Sequence, residues 1–336
     1  MSSAASLRVG VIGVGSMGEN HARVYAELPT VELAGIADAD ADRARNVAGR
    51  HDTRSMDRRD LVESVDAVSI AVPTAHHYPV ARECIVAGVH VLIEKPFVAE
   101  PAEGRELVSL ADEHDITIQV GHIERFNPAI QAVSEILAGK ELIAIDARRL
   151  GSPREREIKD GAVMDLMIHD IDVALSLVDE DPDLVNAVGT QGSRYVDAQL
   201  RFDGGVVASL TASRVTQRKV RELTITTRDA WIVVDYIDRS IEIHRQSSER
   251  YEPSDHTRHA TFHSRVWRRG IESNEGIIEQ PMVGGGEPLK EELAAFVDCV
   301  ETGDEPVVTA ADGLRALEVA LTIDQLAGED ALEVNA

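Results

Sequence analysis

The chain has 336 residues, which at roughly 150 residues per domain implies about two domains. It carries 34 basic and 59 acidic side chains, and a net charge of −25 repels phosphate backbones and anionic lipid headgroups, so neither nucleic acid nor membrane is an expected partner. No apolar run approaches the roughly 18 residues of a membrane-spanning helix, and Met1–Arg8 lacks the apolar core of a secretory leader, so the expected location is the cytoplasm. Cys84 and Cys299, the two cysteines, sit in apolar helical patterns without disulfide or metal spacing and read as buried reduced thiols. Five of the 34 basic residues are lysine, a balance that resembles proteins of salt-adapted cytoplasms, where salt screens self-repulsion.

In chain order, strands are expected at Leu7–Ile12, Val31–Ala37, Asp66–Val72, His90–Ile93 and Ile116–Val120. Helical patterns lie between them at Met17–Leu28, Asp42–Arg50, Asp57–Glu63, His76–Ala87 and Ala102–His114, the last opened by Pro101. Strands alternating with helices of this length imply crossover units and a parallel, doubly wound sheet. After about Gly121 the rhythm changes. A helix at Pro128–Ala138, a strand at Leu142–Leu150 and a helix over Gly161–Val178, with Asp160 as its N-cap, come next. Six strand-like runs follow with turns rather than helices between them: Val185–Gln191, Tyr195–Phe202, Val206–Thr211, Arg221–Thr227, Trp231–Tyr236 and Ile241–Arg245. They predict an open, mainly antiparallel sheet in a second α/β domain. Gln246–Gly286 is polar and reads as a long irregular excursion, serving as a lid or oligomer arm or remaining disordered. Helices at Leu289–Val300 and Ala311–Leu326 close the chain. The expected domains are 1–122 and 123–336, with the closing helices able to pack back on the first.

Gly13-Val14-Gly15-Ser16-Met17-Gly18 follows the first strand and opens the first helix. In that context the first glycine makes a tight turn, the second lets backbone approach a pyrophosphate at the helix N-terminus, and the third lets helix and strand pack closely. Asp38, ending the second strand 20 residues after Gly18, can accept hydrogen bonds from an adenosine ribose and would repel a 2′-phosphate. NAD is therefore favoured over NADP, with nearby Arg43 able to soften the preference. The alternatives are a chance glycine turn and a solvated acid. His90–Glu94 leads into Lys95-Pro96, and ligands of doubly wound sheets sit beyond the carboxyl ends of the strands, so Lys95 points to the reacting end of a cofactor. By itself Glu-Lys-Pro could equally be a surface turn. Asp165 and His169, four apart on an apolar helix, lie about 40° from each other and share a face. That pairs a group titrating near neutrality with a carboxylate, as proton transfer needs, although a satisfied core histidine fits the segment as well. Asp170 and Asp172 face elsewhere and are assigned to solvent or interdomain hydrogen bonds. No metal constellation is expected: His76 and His77 are adjacent and diverge on a helix, and the histidines of His244–His263 lack ligand spacing.

Together these pieces resemble the glucose-fructose oxidoreductase/inositol dehydrogenase (Gfo/Idh/MocA) family. The matching stretches are Val11–Gly18, Ala71-Val72-Pro73-Thr74-Ala75-His76, Glu94-Lys95-Pro96, Gly121-His122 and Asp165-x-x-x-His169. The resemblance implies an N-terminal Rossmann domain, a C-terminal domain whose open sheet packs against its counterpart in a homodimer or homotetramer, and a cis bond before Pro96 that aims Lys95 inward. It implies Lys95, Asp165 and His169 as the catalytic set, the histidine exchanging a proton with a substrate hydroxyl. Cofactor contacts are expected from Gly13, Gly15, Ser16, Met17, Gly18, Asp38, Arg43, Pro73, Thr74, His76, Glu94, Lys95 and His122. Within the family, Gly121–Pro128 and Glu287-Pro288-Leu289 look most like the nucleotide-sugar subgroup of archaeal UDP-N-acetylglucosamine 3-dehydrogenases, and with the acidic composition this implies a halophilic archaeal source. His122 and Asn127 would then fall near the nicotinamide and sugar. Arg148, Arg149, Arg154 and Arg156 could offer forks to a diphosphate or form a solvated basic rim. The expected activity is NAD-dependent oxidation of a sugar secondary hydroxyl, best at C3 of a UDP-N-acetylhexosamine. The alternatives are a dehydrogenase of free polyols or aldoses, a non-catalytic dinucleotide sensor, and hydrolysis through transient oxidation.

Overall fold

A computed structural model describes residues 6–153, 161–190, 192–246, 263–266 and 275–333. They fall into two compact units, residues 1–126 with 287–318, and residues 127–286 with 319–336. Asp160, Arg154, Arg156 and most of the polar stretch after Gln246 lie outside the described residues. Among the described residues no helix is long and apolar enough to cross a membrane.

The first unit opens with β1 (Leu7–Ile12), α1 (Ser16–Glu27), β2 (Val31–Ala37), α2 (Ala41–Arg50), α3 (Arg58–Val62) and β3 (Ala67–Ile70). It continues with α4 (His77–Val86), β4 (His90–Glu94), α5 (Pro101–His114) and β5 (Ile118–Gly121). The five strands form one parallel sheet in the order β2-β1-β3-β4-β5. The strands are buried over most of their length and are mainly apolar, as in β3, where all four residues are buried. Asp40 caps α2 by accepting from Asp42 and Arg43 N–H, and Glu100 with Glu103 forms a capping box ahead of Pro101 on α5. Cys84 is buried on α4, where loss of water pushes its thiol up to about 12 and leaves it unreactive.

The second unit contains α6 (Pro128–Leu137), β6 (Leu142–Leu150), α7 (Ile168–Val178), β7 (Pro182–Thr190), β8 (Tyr195–Phe202), β9 (Val207–Ser213), β10 (Val220–Thr227), β11 (Trp231–Asp235), β12 (Ser240–Gln246), β13 (His263–Val266) and β14 (Glu275–Glu279). Its nine-stranded sheet runs β13-β14-β12-β11-β10-β6-β9-β8-β7. All neighbours are antiparallel except β6 and β9. Alternate residues are buried, for example Val196, Ala198, Leu200 and Phe202 on β8 and Ala208, Leu210 and Ala212 on β9. The apolar flank of α7 covers the sheet at β6 and β9.

Two expectations are corrected here. The stretch from Gln246 to Gly286 is not wholly irregular: β13 and β14 pair with each other, and β14 pairs with β12, extending the sheet. The expected continuous helix over Gly161–Val178 begins as a π-helical turn at Val163–Met167, closed by Ile168 N–H reaching the Val163 carbonyl five residues back.

The chain closes with α8 (Pro288–Thr302) and α9 (Ala310–Glu333). Helix α8 lies on α1, and Leu289, Leu293, Phe296 and Val297 join Val9, Val24, Tyr25 and Leu28 in one buried cluster. Residues 308–309 then add a short bridge to the free edge of β5, Val120 N–H bonding the Val308 carbonyl at 3.1 Å.

Candidate active site

The glycine turn has three distinct geometries. Gly13 has φ +87°, and a Cβ there would meet the Ala71 carbonyl carbon at 2.8 Å. At Gly18 a Cβ would stand 1.8 Å from the Gly13 oxygen, so no other residue allows α1 to start so close to β1. Gly15 is different: nothing lies within 4 Å of its Cβ position, which leaves an open cradle at the N-terminus of α1. Ser16 beside it is exposed and Met17 half-buried. Asp38, following β2, accepts from Val14 N–H at 2.7 Å through one oxygen and from Asp40 N–H at 2.8 Å through the other. Arg43 approaches Asp38 at 3.4 Å and Asp40 at 3.4 Å, so its charge is shared between two acids. A dinucleotide fits this turn, with its anionic linker at Gly15 and a ribose at Asp38.

Pro73 precedes a 3₁₀ turn, Thr74–His76, that leads into α4. His76, an expected cofactor contact, is exposed, whereas its neighbour His77 is buried. His77 Nδ1 lies 2.9 Å from the Pro96 carbonyl oxygen and 3.3 Å from that of Phe97, and Nε2 lies 2.9 Å from that of Val72. Burial holds its pKa below the ordinary histidine value, against the pull of these carbonyls and of Glu94. Near neutrality one nitrogen carries the hydrogen, and the ring donates to one side at a time. His77 is the functional-looking histidine that sequence reading passed over. The signal was present, because His77, Val80, Ala81 and Cys84 recur at helical spacing and all are buried.

Beyond β4, the Lys95–Pro96 peptide is cis, and Lys95 is half-buried. Glu94 accepts from the Lys95 backbone N–H at 3.2 Å and contacts His21 Nε2, from α1, at 3.0 Å. Burial raises the Glu94 pKa, but the His21 hydrogen bond and the charges of His21, Lys95 and His77 outweigh it and hold the carboxyl below its usual range. A Cβ at Gly121 would crowd Glu94 at 3.1 Å, so glycine there leaves room for the carboxyl group. Glu292 of α8, fully buried, completes a cluster in which one ligand atom each of His21, Glu94 and Glu292 lie within 4.8 Å of one another. Among the described residues this is the one group of such side chains close enough to hold a metal ion, and the sequence reading, which expected no metal, did not bring these three together. His122, after β5, is buried.

In the second unit, Asp165 lies on the π-turn and His169 in the first turn of α7. Asp165 Oδ2 stands 2.6 Å from Nη2 of Arg214, which follows β9. No sequence motif announced that arginine; the packing of β9 against the π-turn brings it there. The structure also describes four other residues considered above. Asp170 and Asp172 are buried, which removes solvent from the two alternatives considered for them. Arg149, expected as a fork for a diphosphate, spends its fork on Asp170 at 2.8 and 2.7 Å, with its guanidinium carbon 5.1 Å from the centre of the Tyr236 ring. Asn127, expected near nicotinamide and sugar, caps α6 by accepting from Ala129 N–H and donates to the Tyr236 carbonyl at 3.3 Å.

The parallel sheet with its glycine turn, together with the large mixed sheet, defines a two-domain oxidoreductase of the dinucleotide-binding class. Residues 7–122 match the GFO/IDH/MocA oxidoreductase family, NAD-binding Rossmann fold, and residues 145–233 match the GFO/IDH/MocA C-terminal domain; the chain belongs to this family. It is 38% identical over 247 residues to UDP-N-acetylglucosamine 3-dehydrogenase of Acidithiobacillus ferrooxidans, covering 72% of this chain and 78% of that protein. A solved structure of the enzyme of that name and organism superposes with a TM-score of 0.83 over 96% of this chain and 98% of that one, at 31% identity. Inositol 2-dehydrogenase of Rhizobium meliloti is 26% identical over 329 residues, covering 94% and 95% of the two chains. The protein is thus a sugar dehydrogenase acting on CH–OH groups, of a family whose N-terminal domain binds NAD.

Two measurements test this geometry. Arg149→Met strands a buried carboxylate and should cost about 3–5 kcal/mol in urea unfolding, while replacing Arg149 and Asp170 together by apolar residues should recover most of it. His77 and His90 both have lowered pKa values, through burial in each case, so the unfolded chain takes up protons before the folded one as pH falls below about 6.5. The urea midpoint should therefore drop between pH 7.5 and 5.5, and drop less in His77→Gln. Carboxylates such as Glu94, held low, lose their contribution only in more acidic solution.

Proposed function

We propose that this protein oxidises the C3 hydroxyl of a UDP-N-acetylhexosamine with NAD. The observation that carries this reading is the 38% identity to UDP-N-acetylglucosamine 3-dehydrogenase, the strongest match among the relatives named above. NAD, when bound, supplies the hydride acceptor. Gly13, Gly15, Ser16, Met17, Gly18, Pro73, Thr74 and His76 form its cradle, and Asp38 selects it over NADP by charge repulsion.

His169 takes the proton of the reacting hydroxyl, and the Lys95 ammonium stabilises the oxygen as it becomes negative. Asp165, its carboxylate held by Arg214, orients the hydroxyl or His169. The strength of the inositol dehydrogenase match over nearly the whole chain supports a second reading, with a free polyol as substrate. Exposed Ile143, Leu184, Val188 and Trp231 on the large sheet support self-association as a homodimer or homotetramer.

A single-turnover absorbance trace at 340 nm, with enzyme near stoichiometric with NAD, tests the substrate. A rise with UDP-N-acetylglucosamine and none with N-acetylglucosamine, inositol or aldoses is expected; a rise with free sugars alone moves the assignment to the second reading. His169→Ala should slow that rise by about 10²–10⁴, and retained turnover would transfer the proton to Lys95. Asp38→Ser should tighten NADP binding by roughly tenfold or more by removing the repulsion, measured by fluorescence titration.

A further inference from the structure

Lys95 directly follows β4, and ordering a half-buried lysine costs its side chain rotamer freedom. Here the backbone on each side of it is gripped by a buried histidine. On the N-terminal side, Glu94 uses one carboxylate oxygen for the Lys95 N–H and the other for His21, which is fully buried on α1. On the C-terminal side, His77 faces the carbonyls of Pro96 and Phe97 and, through its other nitrogen, that of Val72.

Val72 is itself fixed. Its side chain lies 2.7 Å from where a Cβ on Gly13 would stand, so the grip on Pro96 borders the turn that ends β1. Among the described residues, Glu94 lies between the two histidines in charge terms, with Lys95 beside it and Glu292 beside His21.

We propose that His21 and His77 are positioning residues for Lys95, His21 acting through the Glu94 carboxylate and His77 through the Pro96 and Phe97 carbonyls. The inference rests on the reading that Lys95 acts at the reacting oxygen. A displacement of about 1 Å at such a group is worth roughly 100-fold in rate, so loosening either grip should slow the chemical step while leaving the glycine turn, and hence NAD binding, intact.

The scarcity of lysine makes this testable without turnover. Competitive acetylation followed by mass spectrometry reads the reactivity of Lys95 against the other four lysines of the folded protein. In His21→Leu and His77→Leu, Lys95 should change reactivity severalfold while the other lysines do not. Single-turnover NADH formation with UDP-N-acetylglucosamine should fall roughly 10- to 100-fold, with the NAD dissociation constant within about threefold of wild type. His21→Gln keeps a donor toward Glu94 and should recover the rate. His77→Gln keeps an N–H donor but cannot span Val72 and Pro96 as the ring does, and should fall between wild type and His77→Leu.

If the leucine variants do not fold, His77→Gln decides. Unchanged Lys95 reactivity and rate in that variant, or in folded leucine variants, overturns the proposal. Lys95→Ala separates the two claims. If it retains turnover while the histidine variants still shift Lys95 labelling, the grip stands and the role of Lys95 falls; if it is inactive and the histidine variants match wild type, the reverse holds.

Discussion

No side chain fits between the end of β1 and the first turn of α1, and most of the first unit depends on that crowding. With the Gly18 Cβ position 1.8 Å from the Gly13 oxygen, the helix axis is set by contact rather than by a flexible loop. One helical stripe, Gly18, His21, Ala22 and Tyr25, is thereby directed inward. Its apolar members meet α8 and the sheet. His21 meets Glu94, and through it the backbone of Lys95. The turn that could receive a pyrophosphate and the turn that carries the lysine are thus parts of one packed assembly, linked a second time through Val72 and His77.

The second unit solves a different problem. Its sheet is one-sided, and the covering helix α7 brings acids as well as apolar residues to the buried face. Asp170 is tolerated there because Arg149 meets it with two parallel hydrogen bonds and is backed by the Tyr236 ring. This pair sits one residue beyond His169, so it anchors the stretch of helix from which His169 projects. The π-turn just before α7 places an additional residue in the turn, and Asp165, lying in it, is set against Arg214.

The first unit was legible in the sequence because two independent periodicities and one glycine spacing agree: alternating strand and helix lengths, buried apolar strands, and the Gly13–Gly18 turn. The family match follows from the same residues. What remained hidden depends on contacts between distant segments. Arg149 and Asp170 are 21 residues apart on different elements, and nothing local distinguishes a guanidinium facing a buried carboxylate from one facing a ligand. β13 and β14 escaped because their polar composition lacks strand alternation, and their pairing is set by the edge of β12. The π-turn has no residue signature in Val163–Met167. His21, His77 and Glu292 are instructive in the other direction, since each occupies an apolar stripe; Leu289, Glu292, Leu293 and Phe296 repeat the pattern of α1. A polar residue in phase with an apolar stripe marks a buried interaction whose partner the sequence does not name.

The chain leaves the first unit after residue 126 and returns to it only at residue 287. On a ribosome adding about 5–20 residues per second, the intervening stretch delays completion of the first unit by on the order of ten to thirty seconds. Throughout that interval the nascent sheet and α1 lack Leu289, Leu293 and Phe296, which finish their core, and the strip at residues 308–309 that covers the edge of β5. A growing chain with an apolar flank and a bare strand edge is the kind of species that chaperones retain. The order of synthesis therefore keeps the dinucleotide-binding half, first in sequence, open until the chain is nearly finished.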